Sequence, residues 1–250
     1  MKVAITGKGG VGKTTLAGTL ARLLAQEGRD VVAIDADPDM NLASALGITE
    51  NPTPISTLED LIAERAGEPG GIFKLNPKVS DILDTYGLRN EDGVRLLTMG
   101  TIETGGSGCI CPASAFLRAL LRHITFKEQY VILDMEAGIE HLGRGTTRNV
   151  DLMIVVVEPG MRSVETLRRI NKLAGDIGIK NIAVVINKDV GGSEVISEKI
   201  EAMGLTILGS IPYDRNFVRA DLDGTSVLDA EGDAIDAIRK IKDQLVASFE

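Results

Sequence analysis

The sequence predicts an α/β fold, a single domain built on a mostly parallel β-sheet with helices on both faces. Three observations predict it. Short apolar runs alternate with segments of helical periodicity along the chain. Those runs are continuously apolar instead of alternating with polar residues, as expected of strands covered on both faces. At 250 residues and 44% apolar, the chain can bury one large core and is marginal for two.

The elements follow in order. A first strand is expected at 3–6, then a glycine-rich loop, then a helix whose stripe is Leu16, Leu20, Leu23 and Leu24. A second strand, 31–34, ends in the acidic run Asp35-Ala36-Asp37-Pro38-Asp39. From 51 to 90 the chain is rich in Pro, Gly, Asn and Asp, with one clear helical pattern at 58–63. Residues 51–112 therefore read as an insertion on the sheet, inside a single domain spanning 1–250. Further strands are expected at 130–133, 152–157, 182–186 and 205–211, with a helix between the second and third of these carrying Val164, Leu167, Ile170 and Leu173. A last helix presents Ile235, Ile238, Ile241 and Leu245 on one face.

Composition removes several function classes. The formal net charge of -9 repels nucleic acid and anionic lipid, and with 3% aromatics and no Trp there are few platforms on which single-stranded bases could stack. The last helix carries Asp236, Arg239, Lys240, Lys242 and Asp243 on its polar side, a mixed face unlike the basic one of a membrane-binding helix. No apolar run exceeds 152–157, and the chain opens into a short strand, unlike a signal peptide. The expectation is a cytoplasmic protein with neither a nucleic acid nor a membrane as partner.

Gly7-Lys8-Gly9-Gly10-Val11-Gly12-Lys13-Thr14 fits the phosphate-loop pattern G-x-x-x-x-G-K-[ST], with a strand before it and a helix after it. Backbone N–H groups must turn inward around phosphates, which requires glycine where a side chain would obstruct or where φ must be positive. The helix beginning at Lys13 adds its positive N-terminal end. Lys13 is expected at the β- and γ-phosphates and the Thr14 hydroxyl on Mg²⁺, with Gly9 to Thr15 forming the cradle.

Lys8 makes this loop resemble the deviant Walker motif of the ParA, MinD, ArsA and nitrogenase iron protein superfamily. The resemblance implies a P-loop ATPase that converts ATP to ADP and works as a homodimer, with Lys8 crossing to the partner's nucleotide. It further implies that Asp37 orients or deprotonates the attacking water and that Asp35 helps place Mg²⁺ through water. The run Val131-Ile132-Leu133-Asp134 is a Walker B pattern, whose Asp134 can reach Mg²⁺. Gly138, a few residues on, resembles the switch II glycine that senses the γ-phosphate. Asn187-Lys188 and Pro212-Tyr213-Asp214 follow apolar runs, and in the superfamily these strand ends hold adenine. An Asn-Lys pair with a nearby acid also occurs in guanine readers, and the resemblance favours ATP.

Gly105-Gly106-Ser107-Gly108-Cys109-Ile110-Cys111-Pro112 is a loop by composition. A disulfide between Cys109 and Cys111 would close a very small, strained ring, so both are expected as free thiols or metal ligands. In an extended segment their Cα atoms lie roughly 6.6 Å apart on one side. Two thiolates leave a tetrahedral site half made, and two chains supply four, which suits Zn²⁺, Ni²⁺ or an iron–sulfur cluster.

With these cysteines the chain resembles the CooC group, ATPases that mature carbon monoxide dehydrogenase by helping insert nickel. Carrying the likeness are GKGGVGKTT from Gly7, DADPD at Asp35, LNPKV at Leu75, MGTIETGGSGCIC from Met99, DMEAGIEHLGRGT from Asp134 and INK at Ile186. It implies an ATP-dependent metallochaperone that binds Ni²⁺ or Zn²⁺ at a nucleotide- and metal-dependent dimer interface. The client would be apo carbon monoxide dehydrogenase or acetyl-CoA synthase. Two alternatives are a positioning or partition ATPase without metal, and an electron-transfer ATPase with an interfacial [4Fe–4S] cluster. The nitrogenase iron protein takes its cysteines from two separated loops, and the switch II segment here has none.

Overall fold

The structure, a computed structural model, describes residues 1–68, 70–71, 74–100, 112–136, 150–229 and 232–249. Its sheet has eight strands: β1 (Lys2–Gly7), β2 (Val31–Ala36), β3 (Leu88–Arg89), β4 (Arg95–Thr98), β5 (Tyr130–Met135), β6 (Leu152–Val157), β7 (Ile182–Asp189) and β8 (Thr206–Pro212). They lie in the order β3-β4-β2-β5-β1-β6-β7-β8, and every pair is parallel except β3 with β4. All six strands read from the sequence are present.

Alternate residues of each strand enter opposite apolar layers, as the two-residue repeat of a strand requires. Val3, Ile5, Ala33, Ile132, Ile154 and Val185 meet α1 (Lys13–Gln26) through Leu16, Leu20 and Leu24, and α9 (Asp233–Phe249) through Ile238, Ile241 and Leu245. Ala4, Ile34, Leu133, Val155 and Val184 meet α5 (Pro112–Lys127) and α6 (Met161–Ile177) through Phe116, Leu120, Val164, Leu167 and Ile170. The last helix therefore packs against the sheet, as its mixed polar face predicts.

Two expectations are corrected. The described part of 51–112 is built into the sheet, supplying β3 and β4, with β4 paired in parallel with β2. It also contributes α3 (Glu59–Ala66) and α4 (Ile82–Tyr86). Leu173 is 38% exposed, and Ala174 takes its place in the buried stripe of α6. The remaining helices are α2 (Leu42–Ala45), α7 (Glu194–Glu201) and α8 (Arg215–Asp223).

Candidate nucleotide site

The strand order puts the C-terminal ends of β1, β2, β5, β7 and β8 around one cavity of about 980 Å³, at the edge where open parallel sheets bind ligands. The loop between β1 and α1 forms its floor. Gly10 and Gly12 have φ of 77° and 92°, left-handed conformations that favour glycine. A Cβ on Gly12 would lie 2.3 Å from Asn187 Nδ2, so the close approach also requires glycine there. The Leu16 N–H donates to the Gly12 carbonyl at 3.0 Å, starting α1 with its free N–H groups at the cavity.

Lys13 is buried, with Nζ 3.5 Å from Asp37 Oδ2. Asp35 and Asp134 face each other across neighbouring strand ends, both fully buried. The Asp35 carboxylate accepts the N–H groups of Asp37 at 3.2 Å and Leu42 at 3.0 Å, tying the start of α2 to the sheet. Burial pushes Asp35 up to about 6, partly opposed by those two hydrogen bonds. Neither oxygen of Asp134 meets a hydrogen bond of normal geometry among the described residues. Burial pushes Asp134 up to about 7; the Thr14 hydroxyl and Lys13 pull against this, and the charges of Asp35 and Asp37 add to it.

A buried carboxylate beside a threonine hydroxyl fits a hard divalent cation that also binds phosphate and water. Thr14 and Asp134 would be the protein's share of such a site. Among the described residues no group of three or more His, Cys, Asp or Glu forms a metal cage of its own.

Of the residues singled out from the sequence, Gly9, Gly10, Gly12, Lys13, Thr14, Thr15, Asp37, Asn187, Lys188, Pro212, Tyr213 and Asp214 line the cavity. Val11 is buried beneath the loop. Lys8 is exposed, outside the lining, and its side chain has no hydrogen bond or ion pair among the described residues. Gly138, Cys109 and Cys111 lie outside the described residues.

The Asn-Lys pair departs from its expected role. Asn187 Nδ2 donates to the Val11 carbonyl at 2.7 Å, and Lys188 Nζ donates to the Gly10 carbonyl at 2.6 Å, so both turn toward the phosphate loop. Asp189 is absent from the lining, and its carboxylate accepts the Gly191 N–H at 2.9 Å and the hydroxyls of Ser193 and Ser210, both at 2.7 Å. These three donors hold it below the usual carboxylate range, Ser210 most strongly.

Sequence reasoning missed part of the wall: Asn41 and Ser44 near α2, Phe217 and Val218 of α8, and Thr225 and Val227 beyond it. One signal for α8 was legible. Asp214 precedes the apolar pair Phe217-Val218, and its carboxylate accepts the Asn216 N–H at 2.8 Å, as helix-start aspartates do.

Residues 2–227 match the family model of the CobQ/CobB/MinD/ParA nucleotide binding domain. A carbon monoxide dehydrogenase accessory protein, CooC, of Rhodospirillum rubrum is 48% identical over 237 residues, 92% of this chain and 90% of that one. An uncharacterised ATP-binding protein of Methanocaldococcus jannaschii is 46% identical over 253 residues, 98% of both chains. Among solved structures, the MinD cell division protein of Aquifex aeolicus superposes with a TM-score of 0.70 at 24% identity, covering 98% of this chain and 96% of that one, which is a likeness of fold.

Proposed function

The chain belongs to the CobQ/CobB/MinD/ParA nucleotide-binding family, and on that premise we propose that it is an ATP-driven metallochaperone for a nickel enzyme. It is an ATPase, converting ATP and water to ADP and phosphate. The observation that carries the site assignment is the buried carboxylate of Asp134 beside the Thr14 hydroxyl, near Lys13 and Asp37, which lie 3.5 Å apart.

The amides of Gly9 to Thr15 cradle the phosphates, and Lys13 contacts the β- and γ-phosphoryl oxygens. Thr14 and Asp134, with help from Asp35, would hold Mg²⁺, which would neutralise charge on the phosphates. Asp37 orients the attacking water and accepts its proton. Pro212, Tyr213 and Asp214 hold the adenine with the remaining polar capacity of Asn187, and the family likeness favours adenine over guanine. Exposed Lys8 reaches the nucleotide of a second copy, and Gly138 responds to the γ-phosphate.

Cys109 and Cys111 of each copy together present four thiolates to a nickel or zinc ion at the two-fold axis. Nickel is the cargo, and apo carbon monoxide dehydrogenase or acetyl-CoA synthase is the client. The support is the relative that is 48% identical over 92% of this chain, together with the cysteine pair. Among the described residues no helix is long and apolar enough to cross a membrane, and a cytoplasmic location with neither membrane nor nucleic acid as partner belongs to the same reading.

Metal stoichiometry on the purified chain tests it. The parent is expected to bind nickel or zinc with two chains sharing each ion, and a Cys109→Ser, Cys111→Ser double variant to lose that binding while keeping its affinity for ATP. Equal metal binding by the double variant ends the metallochaperone reading and leaves the ATPase.

A further inference from the structure

We infer that Asn187, Lys188 and Glu158 form a clamp that presets the phosphate loop, so that Lys188 and Glu158 are positioning residues for the triphosphate and not readers of the base. This deepens the ATP-binding reading of the same cavity and rests on it. Nothing in the local sequence around Glu158 marks it for such a role.

In a trans peptide the C=O of one residue and the N–H of the next point in opposite directions. Lys188 holds the Gly10 carbonyl and Asn187 holds the Val11 carbonyl, each fixing the plane of one peptide of the loop. The amides in the same two planes, those of Val11 and Gly12, thereby point the opposite way, away from Lys188 and Asn187. Val11 N–H has only a long contact of 3.4 Å to the Lys8 carbonyl, which a charged phosphoryl oxygen outcompetes. Amides oriented in advance do not have to be ordered when ligand arrives, and that saving appears as affinity.

Glu158 supplies the other end. It lies just beyond β6, the strand beside β7, and its Oε1 is 2.8 Å from Lys188 Nζ. An ammonium with 43% of its side chain exposed has many rotamers open to it; the carboxylate holds it on the Gly10 carbonyl. The backbone of Lys188 is committed to the same arrangement, with φ of 55°, a conformation disfavoured for any residue with a side chain. The next residue anchors it: the Asp189 carboxylate accepts hydrogen bonds from Gly191, Ser193 and Ser210, and its carbonyl accepts the Tyr213 N–H at 2.9 Å. Gly12 completes the fit, since a Cβ there would collide with Asn187 Nδ2.

The test compares Mg·ATP, Mg·GTP and Mg·tripolyphosphate as competitors of a fluorescent ATP analogue on the full chain. Tripolyphosphate has the phosphates and no base. Lys188→Met is expected to weaken ATP and tripolyphosphate by the same factor, roughly tenfold, as for loss of a hydrogen bond to a charged group. The ratio of ATP to GTP affinity stays that of the parent. Glu158→Gln moves both ligands the same way by a smaller factor. Lys188→Gly, which relieves the positive φ, loses binding as Lys188→Met does while melting no lower than the parent, which separates positioning from folding. If ATP weakens and tripolyphosphate does not, Lys188 contacts base or ribose and the clamp is wrong. If neither ligand weakens, the clamp is idle. A parent chain that binds neither ligand overturns the ATP site itself, and the clamp with it.

Discussion

Asp134 sits buried at the end of β5, where no hydrogen bond of normal geometry reaches its oxygens among the described residues, and this sets how the protein responds to pH. Its folded pKa of about 7 lies above the ordinary 3.8, so between those values the folded state binds more protons than the unfolded one. Stability from this group is therefore full below 3.8 and is lost as pH rises through about 7. Without magnesium, the parent is expected to lose stability on the order of a few kcal/mol over that window relative to Asp134→Asn. Urea unfolding at pH 5 and pH 7.5 reads this directly, and parallel curves for the two proteins would refute it. Lys8 acts by contrast through its exposure. Lys8→Ala should leave ATP affinity within about threefold of the parent, since an exposed side chain outside the cavity contributes little to binding within one chain. Turnover, measured by phosphate release, should fall to background; normal turnover would mean that no second copy uses this lysine. Lys8, Lys13 and Asp134 were legible because each occupies a fixed place in a short motif, whereas Glu158 was not, because its partner lies on another strand.

Among the elements, α1 couples the phosphate loop to α2. Gly18 lies in the middle of α1, where a Cβ would come within 2.7 Å of Ala45 Cβ and 3.0 Å of the Ala45 backbone. The two helices touch at a point that admits only hydrogen. Gly18→Val should cost about 1–3 kcal/mol by overpacking, measured by urea unfolding. It should also lower turnover more than ATP affinity, because α2 begins at the amide held by Asp35 and carries Ser44 into the cavity wall. Equal loss in both would place α2 among the ground-state contacts. The strands and helices with long, regular apolar patterns were readable from sequence. β3 and β4 were not, since runs of two and four residues are too short to show a period and gain their definition from β2. Leu173 was assigned to the stripe of α6 by spacing alone, and the winding of the last turns brings Ala174 to the core instead.

At the scale of the molecule, two apolar layers hold the sheet, and the layer containing Phe116 lies on the face opposite α1. Phe116 is the largest fully buried side chain among the described residues. Phe116→Ala is expected to cost about 3–5 kcal/mol in urea unfolding, while ATP affinity measured where the variant is folded stays near that of the parent, because the cavity is built on the strand ends. A large loss of ATP affinity in a fully folded variant would mean that this layer positions the site. The net charge of -9 acts over the whole surface as well, as a long-range field that does not specify the fold.

What the sequence determined by itself is what local chemistry dictates: six strands from continuous apolar runs, the phosphate loop from glycines that φ and close approach require, and the acids that follow two strands. Tertiary structure decided the rest. It made the described part of 51–112 an integral edge of the sheet, added the α8 wall to the cavity, turned Asn187 and Lys188 onto the phosphate loop and engaged Asp189 in its own hydrogen bonds. The physical reason is that spacing along the chain fixes a residue's conformation and the face it occupies. The partner of a side chain more than a hundred residues away depends on which strands become neighbours, and that is set only when both layers pack.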